Sequence, residues 1–398
     1  MGRIILLISW EYPPHVVGGL ARHVHGLAKG LFKRGHEVHV LTANSDEDFG
    51  EDKSDSIHIH RVEPLNENDG HFFHWIAGLN LAMEERAREL HHIYCFDIIH
   101  AHDWLVGASA ITLHKYLYIP FITTIHATEY GRNNGIFTEL QRFVHHQEKM
   151  LAERSNHLIV CSQSMKEELF HLFTQNSDKM TVIPNGTEKN NLPVKAHYVL
   201  DSLPINFGKR LIFSIGRMVE EKGFTTLIEA AETLIEQNDQ VYFIVAGKGP
   251  LLEPYRQKVR ERLLDHVFFF PGFITDQQRT ALLNICEIAV FPSKYEPFGI
   301  VALEAMAAER PVIVSRTGGL KGLVQHRQTG MLMDPGNVCS LIEQTQYLLN
   351  HPLHAKEMGK KARRIVDDMY NWDRVAEETE SVYEAALLQS NLTEIKKI

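Results

Sequence analysis

Short apolar runs rich in β-branched residues recur along this chain, each closing on glycine or polar residues and each followed by a longer helical pattern. Runs at 4–9, 37–42, 120–125 and 157–161 form one series, and runs at 210–215, 241–246, 267–270, 287–291 and 311–315 form another. Repeated strand–helix alternation of this kind predicts parallel sheets with helices on both faces. The first unit shows the pattern most plainly: a strand at 4–9, a loop from Pro13 to Gly19, a helix from Leu20 to Lys33, and a strand at 37–42.

Between the two series, residues 191–207 carry polar patches, two prolines and no period, which marks a linker. A chain of 398 residues is long for one domain and comfortable for two, each with its own core. The expected organisation is a first α/β domain over 1–190, the linker, a second over 208–371, and a terminal helix over about 372–398. Ligands of such sheets bind at strand C-termini, so the default site is a cleft between the two domains. Residues 43–70 are acidic and polar around a short strand at 58–62 and are expected to be solvated loop.

Several classes are excluded. The formal net charge is −9, and residues 1–190 hold 17 Lys and Arg against 24 Asp and Glu, which argues against a nucleic-acid binder. An acidic first half also does not favour peripheral association with an anionic membrane. No apolar stretch approaches spanning length, and the opening run is too short for a signal core. The cysteines at 95, 161, 286 and 339 make no ligand pair and read as buried thiols of a reducing compartment, so a cytoplasmic location is expected. Neither Gly-x-Gly-x-x-Gly nor Gly-x4-Gly-Lys-Ser/Thr occurs, which removes dinucleotide and P-loop sites.

The chemistry concentrates at Tyr295 to Met306. An apolar strand runs into Pro292, Pro297 and Gly299 punctuate a turn, and a helix starts at Ile300. From Ile300 to Ala308 only Glu304 is not apolar, and a lone carboxylate in a buried helix needs a hydrogen-bonding partner. The free N–H groups at the helix start suit an anion. Glu296 precedes that start, so the stretch is either an ordinary turn with a surface glutamate or a seat for a ligand carrying both hydroxyls and phosphates. Arg217 at the end of the 210–215 strand, with Lys222 opening the next helix, offers two cations suited to a diphosphate.

In the first domain, Gly18-Gly19 lies where a loop turns into a helix and backbone can approach a ligand. His100-Ala101-His102-Asp103 ends a strand and admits a metal reading, although an organic ligand is the more frequent occupant of such a place. The other histidine-rich spots, at 23 and 25 and at 58 and 60, do not repeat that motif.

With these residues in view, the chain resembles the retaining two-domain glycosyltransferases of family 4, which include glycogen synthases. The carriers are Gly216-Arg217 with Lys222-Gly223, Ala246-Gly247-Lys248-Gly249-Pro250, Phe270-Pro271-Gly272, Glu296-Pro297-Phe298-Gly299 through Glu304-Ala305-Met306, and Thr317-Gly318-Gly319. In the first half, Gly18-Gly19-Leu20-Ala21, His100 to Trp104 and Thr124-Ile125-His126 are similar too, with Val16 where those enzymes often carry lysine. The resemblance implies the GT-B fold: two Rossmann-like α/β domains facing across a cleft, with the C-terminal helix crossing back to the first.

It also implies a metal-independent hexosyltransferase needing no cofactor. The substrates would be a nucleoside-diphosphate sugar, with glucose the expected hexose, and a glycan acceptor, with an α-glucan expected. Arg217 and Lys222 would clamp the diphosphate, helped by backbone near Phe298, Gly299, Ile300 and Gly19. Glu296 would contact the sugar, Glu304 the ribose, and Gly216, Gly247 and Gly249 would line the nucleotide. Asp103 and His126 would face the reacting sugar. A lipid or cell-envelope acceptor is the alternative within the class, and a sugar-nucleotide epimerase the alternative outside it. No motif codes for the base, the linkage or the oligomeric state.

Overall fold

The computed structural model describes residues 2–44, 52–54, 56–66, 70–173, 177–187, 200, 202–206 and 208–395. The chain divides into two compact units, Met1–Gly186 with Trp372–Ile398, and Thr187–Asn371. Most of the expected linker at 191–207, and much of the acidic stretch at 43–70, lie outside the described residues.

The first unit is built on β1 (Ile4–Ile8), β2 (Glu37–Ala43), β3 (Asp52–Ser54), β4 (Ile57–Val62), β5 (Ile98–His102), β6 (Phe121–Ile125), β7 (His157–Val160) and β8 (Met180–Val182). Their order across the sheet is β3-β4-β2-β1-β5-β6-β7-β8. The pairings from β4 to β8 are parallel, and β3 adds an antiparallel edge. That edge strand corrects the expectation of loop: three polar residues show no period, and the pairing with Ile57–Ile59 is what makes them a strand.

Because helices cover both faces, the central strand β1 is apolar throughout, and alternate residues serve two cores. Ile5, Leu7, Val38 and Val40 face one, while Leu6, Ile8, Leu41 and Ile99 face the other.

The last helix, Trp372–Ile395, belongs to this first unit and lies along the helix Gly19–Lys33. Val375, Ala376, Val382 and Tyr383 complete one of the two cores. Exposed pairs flank the seam, Arg3 with Glu384 at 3.1 Å and Arg34 with Glu380 at 2.5 Å. Two glycines on the facing helix permit the approach: a Cβ on Gly26 would lie 2.1 Å from the Trp372 ring, and one on Gly30 would lie 2.8 Å from the Ala376 Cβ.

Two effects therefore oppose each other in Gly26→Ala. Helix propensity gains about 1 kcal/mol, but forcing a methyl into packed space costs about 1–3 kcal/mol. The balance is a net loss of up to about 2 kcal/mol. A denaturation midpoint raised above that of the parent would show that Trp372 does not cover Gly26.

The second unit holds β9 (Arg210–Ile215), β10 (Val241–Ala246), β11 (Phe268–Gly272), β12 (Ile288–Phe291), β13 (Val312–Ser315) and β14 (Met331–Met333), in the order β11-β10-β9-β12-β13-β14, all parallel. Both units are thus Rossmann-like. In each, strand order reverses beside the first strand, between β1 and β5 and between β9 and β12. Such a switch point splays neighbouring loops apart at the strands' C-terminal ends and is where open α/β sheets take ligands.

No helix among the described residues is long and apolar enough to cross a membrane. The four cysteines are unbridged, but only Cys161 and Cys286 are buried; Cys95 and Cys339 are exposed, which corrects the expectation for those two.

Candidate functional site

In the second unit the chemistry collects at the β9/β12 switch point. The loop after β9 carries Gly216 and Arg217 into a short 3-10 turn, Glu220–Lys222, and the helix Phe224–Gln237 starts only beyond Gly223. Lys222 therefore ends a turn and does not open the helix as expected. The loop after β12 carries Glu296 into the helix Ile300–Ala307. Lys222 Nζ donates to Glu296 Oε2 at 2.7 Å, with the two side chains only 19% and 12% exposed.

Arg217, about half exposed, donates to the Glu221 carboxylate at 2.7 Å. The Lys294 N–H donates to the Glu221 carbonyl at 2.8 Å, and the Gly319 N–H to the Glu296 carbonyl at 2.9 Å. These bonds hold two cations, a carboxylate and a helix start together. The ladder of that helix opens with the Ala302 and Leu303 N–H groups donating to the Gly299 carbonyl, at 3.0 and 3.1 Å, and the backbone N–H groups of Ile300 and Val301 ahead of it carry the positive partial charge of the helix start.

The loop after β10 joins them. Gly247 has φ 139°, and a Cβ there would lie 1.9 Å from the Gly216 carbonyl oxygen, so only glycine lets the two loops touch. The adjacent Met218 N–H donates to the Lys248 carbonyl at 2.8 Å, beside Gly249. Phe298 is buried and Gly299 is the N-cap of the helix at Ile300.

Glu304 is not the lone carboxylate the sequence suggests. Arg279, on the helix Asp276–Ile285, lies 3.2 Å from Glu304 Oε2, and the two side chains are 11% and 12% exposed. That contact is an ion pair whose geometry is out of line for a hydrogen bond. Nothing in the sequence links Arg279 to a glutamate on another helix, and it was missed for that reason.

In the first unit the loop after β1 is organised by Glu11, also missed. Its buried carboxylate accepts from the N–H groups of Val17 at 2.5 Å, Gly18 at 3.1 Å and Ala21 at 3.2 Å. Burial raises its pKa, and those three donors pull it back. The start of the helix Gly19–Lys33 thus holds an internal carboxylate, which engages the Gly18 N–H. Gly18 itself is extended, with φ −154°, so no backbone strain requires glycine there.

At the ends of β5 and β6 lie the histidines. His100 is closed: Nδ1 meets the Tyr383 hydroxyl and Nε2 the Thr124 hydroxyl, both at 2.7 Å. It ties β5 to β6 and the last helix and has no nitrogen left for a metal. His102 instead faces His126, Nδ1 to Nε2 at 3.3 Å, with His23 packed beside both. Burial pushes all three imidazoles down, His126 to about 3, so they are neutral near pH 7.

Asp103 takes φ 62°, a region that costs a non-glycine residue about 1–3 kcal/mol and concentrates at functional sites. Its Oδ1 accepts the His126 N–H at 2.7 Å, so it orients His126 through the backbone. Burial raises Asp103 to about 6, with Arg132 and the His126 and Ala127 N–H groups acting against the rise.

Behind it lies Glu148, 2% exposed, whose Oε1 accepts the Glu129 N–H at 2.8 Å. Burial raises it to about 8. A carboxyl with a raised folded pKa stays protonated in the fold after the unfolded chain has ionised. The contribution of Glu148 to stability is then fullest below its unfolded pKa of 4.5 and declines as pH rises toward about 8. That contribution falls by on the order of 1.4 kcal/mol per pH unit, and below pH ~6 Asp103 adds a slope of its own. Glu148→Gln keeps the neutral form at every pH and should remove most of the decline between about pH 6 and pH 8. Denaturant titrations of both proteins across that window check it, and parallel slopes would contradict it.

The comparisons agree with this geometry. Residues 17–190 match the family described as Glycosyltransferase Family 4, and residues 200–365 match Glycosyl transferases group 1. A glycogen synthase of Mycobacterium tuberculosis is 34% identical over 397 residues, covering 96% of this chain and 94% of the relative. An uncharacterized glycosyltransferase of Methanocaldococcus jannaschii is 32% identical over 388 residues, covering 96% and 98%. Among solved structures, sucrose-phosphate synthase from Thermosynechococcus elongatus superposes with TM-score 0.85 at 25% identity, covering 97% of this chain and 100% of that one. The protein belongs to glycosyltransferase family 4 and has the GT-B fold.

Proposed function

We propose that this glycosyltransferase moves a hexose, glucose in the first instance, from a nucleoside-diphosphate sugar to an α-glucan with retention of configuration, using neither metal nor organic cofactor. The observation that carries the reading is the cluster of Arg217, Lys222 and Glu296 at the start of the Ile300–Ala307 helix. The glycogen synthase relative supports the choice of acceptor.

Lys222 and Arg217 each rest on a carboxylate, and a diphosphate is the anion able to draw both away. As the glycosidic bond breaks, negative charge grows on the departing phosphate oxygen. Cations already in place stabilise that charge more than they stabilise the bound donor, which is the condition for catalysis. N–H groups near Phe298, Gly299 and Ile300 share the load. Glu296, released from Lys222, accepts from the sugar's hydroxyls, and Glu304 accepts from the ribose. Gly216, Gly247 and Gly249 keep the nucleotide loops low. His126, neutral and oriented by Asp103, meets the sugar as donor or acceptor. Gly18 and Gly19 shape the first unit's loop and present the Gly19 N–H.

Attack from the leaving-group face needs no protein nucleophile, so neither glutamate is assigned one. The proposed site is cytoplasmic, where unbridged cysteines persist.

The test is a screen of ADP-, UDP- and GDP-glucose against glycogen, maltooligosaccharides and polyprenyl phosphate, with and without EDTA. Chelator-resistant transfer to the glucans is expected. Transfer only to the lipid would replace the acceptor, and release of free nucleotide with an epimerised sugar and no acceptor would replace the enzyme class.

A further inference from the structure

Three imidazoles in the first unit meet in a way that the proposed transfer chemistry does not require. One ring nitrogen from each of His23, His102 and His126 lies within 4.8 Å of the others. The ligand atoms of a tetrahedral zinc site, about 2.0–2.1 Å from the metal, stand roughly 3.3 Å apart. The His102 Nδ1 and His126 Nε2 atoms are 3.3 Å apart.

His23 is prepared as a ligand by its other nitrogen. Its Nδ1 faces Asn185 Oδ1 at 2.7 Å, and since that oxygen only accepts, the proton sits on Nδ1 and Nε2 carries a bare lone pair. That Nε2 is buried and has no hydrogen-bond partner among the described residues. Buried polar nitrogens without partners are costly, and a carbonyl oxygen fixing the tautomer of a histidine is the usual outer support of a metal ligand. The second histidine cluster, at Glu37, His39 and His58, differs: both nitrogens of His39 are engaged, by His60 and Glu37.

We propose that His23, His102 and His126 form a three-imidazole site for a borderline divalent metal, zinc above all, and that metal held there switches transfer off by occupying His126. Three neutral nitrogen ligands with an open fourth position suit zinc, copper or nickel and do not suit magnesium or calcium, which take oxygen. The inhibitory half rests on the reading of His126 as a sugar-facing residue; the binding half does not.

The experiment uses the full chain, stripped with EDTA and titrated with zinc chloride or cobalt chloride. Expected are about one zinc retained per chain after gel filtration, and visible cobalt absorption of tetrahedral intensity. Transfer should fall as the site fills and return with EDTA. His23→Gln should lose zinc retention by tenfold or more, and Asn185→Ala, which removes only the support, should weaken it about 10–100-fold. Circular dichroism of each variant confirms the fold, and Asn185→Ala decides if His23→Gln does not fold.

Magnesium competing equally with zinc, or retention unchanged in the folded variants, overturns the site. Retention with undiminished transfer overturns the switch. Absence of transfer in the metal-free protein under every donor would tell against the proposed function, while the cobalt spectrum would still decide the site.

Discussion

Lys222→Met is expected to slow transfer by on the order of a hundredfold or more, the usual cost of losing a charge partner of the transition state. The substitution also strands Glu296, 12% exposed and held by Lys222 at 2.7 Å, so some loss of stability should accompany it. The double variant Lys222→Met/Glu296→Gln separates the two effects. Neutralising the stranded carboxylate should recover the melting temperature while turnover stays low. Recovery of both would show that Lys222 acts only by holding Glu296. Near-normal turnover in the single variant would remove the cation from the mechanism.

The second large effect is expected at Arg279, 3.2 Å from Glu304. Arg279→Leu fills the space with apolar atoms but leaves a nearly buried carboxylate opposite. Breaking a buried pair from one side costs about 3–5 kcal/mol, and with both groups a tenth exposed about 2–3 kcal/mol is the fitting expectation. Because Glu304 is assigned to the ribose, KM for the nucleotide sugar should rise more than kcat falls. Equilibrium unfolding and steady-state kinetics read the two parts. A loss under about 0.5 kcal/mol would place the pair among solvent-screened ones.

Much of the architecture was legible because short apolar runs bounded by glycine and proline admit few alternatives. The strands at 210–215 and 241–246 fall where the pattern puts them. What escaped lies in pairing that leaves no local signal. Strand β3 exists through its partner at 57–59, and β14 is a three-residue strand whose edge is set by β13.

The site divides the same way. Lys222, Glu296 and Glu304 stand out because charged residues at strand ends or on apolar helices need a reason. Their partners do not: Arg279 is 25 residues before Glu304 on another helix, and Glu11 looks like one more loop acid although it holds three backbone N–H groups. His100 and His102 show the same limit. Two residues apart on one strand, one is closed by Tyr383 and Thr124 and the other is open toward His23 and His126. Strand alternation alone does not separate them, since both point to the same face.

The most direct measurement is the anomeric configuration of the first product, followed by proton NMR as the metal-free enzyme transfers glucose from an α-linked nucleotide sugar to maltotriose. Retention by way of Arg217 and Lys222 predicts a new α-linkage formed from the start and in the presence of EDTA. A β-linked product, or transfer that appears only when a divalent metal is returned, would contradict it.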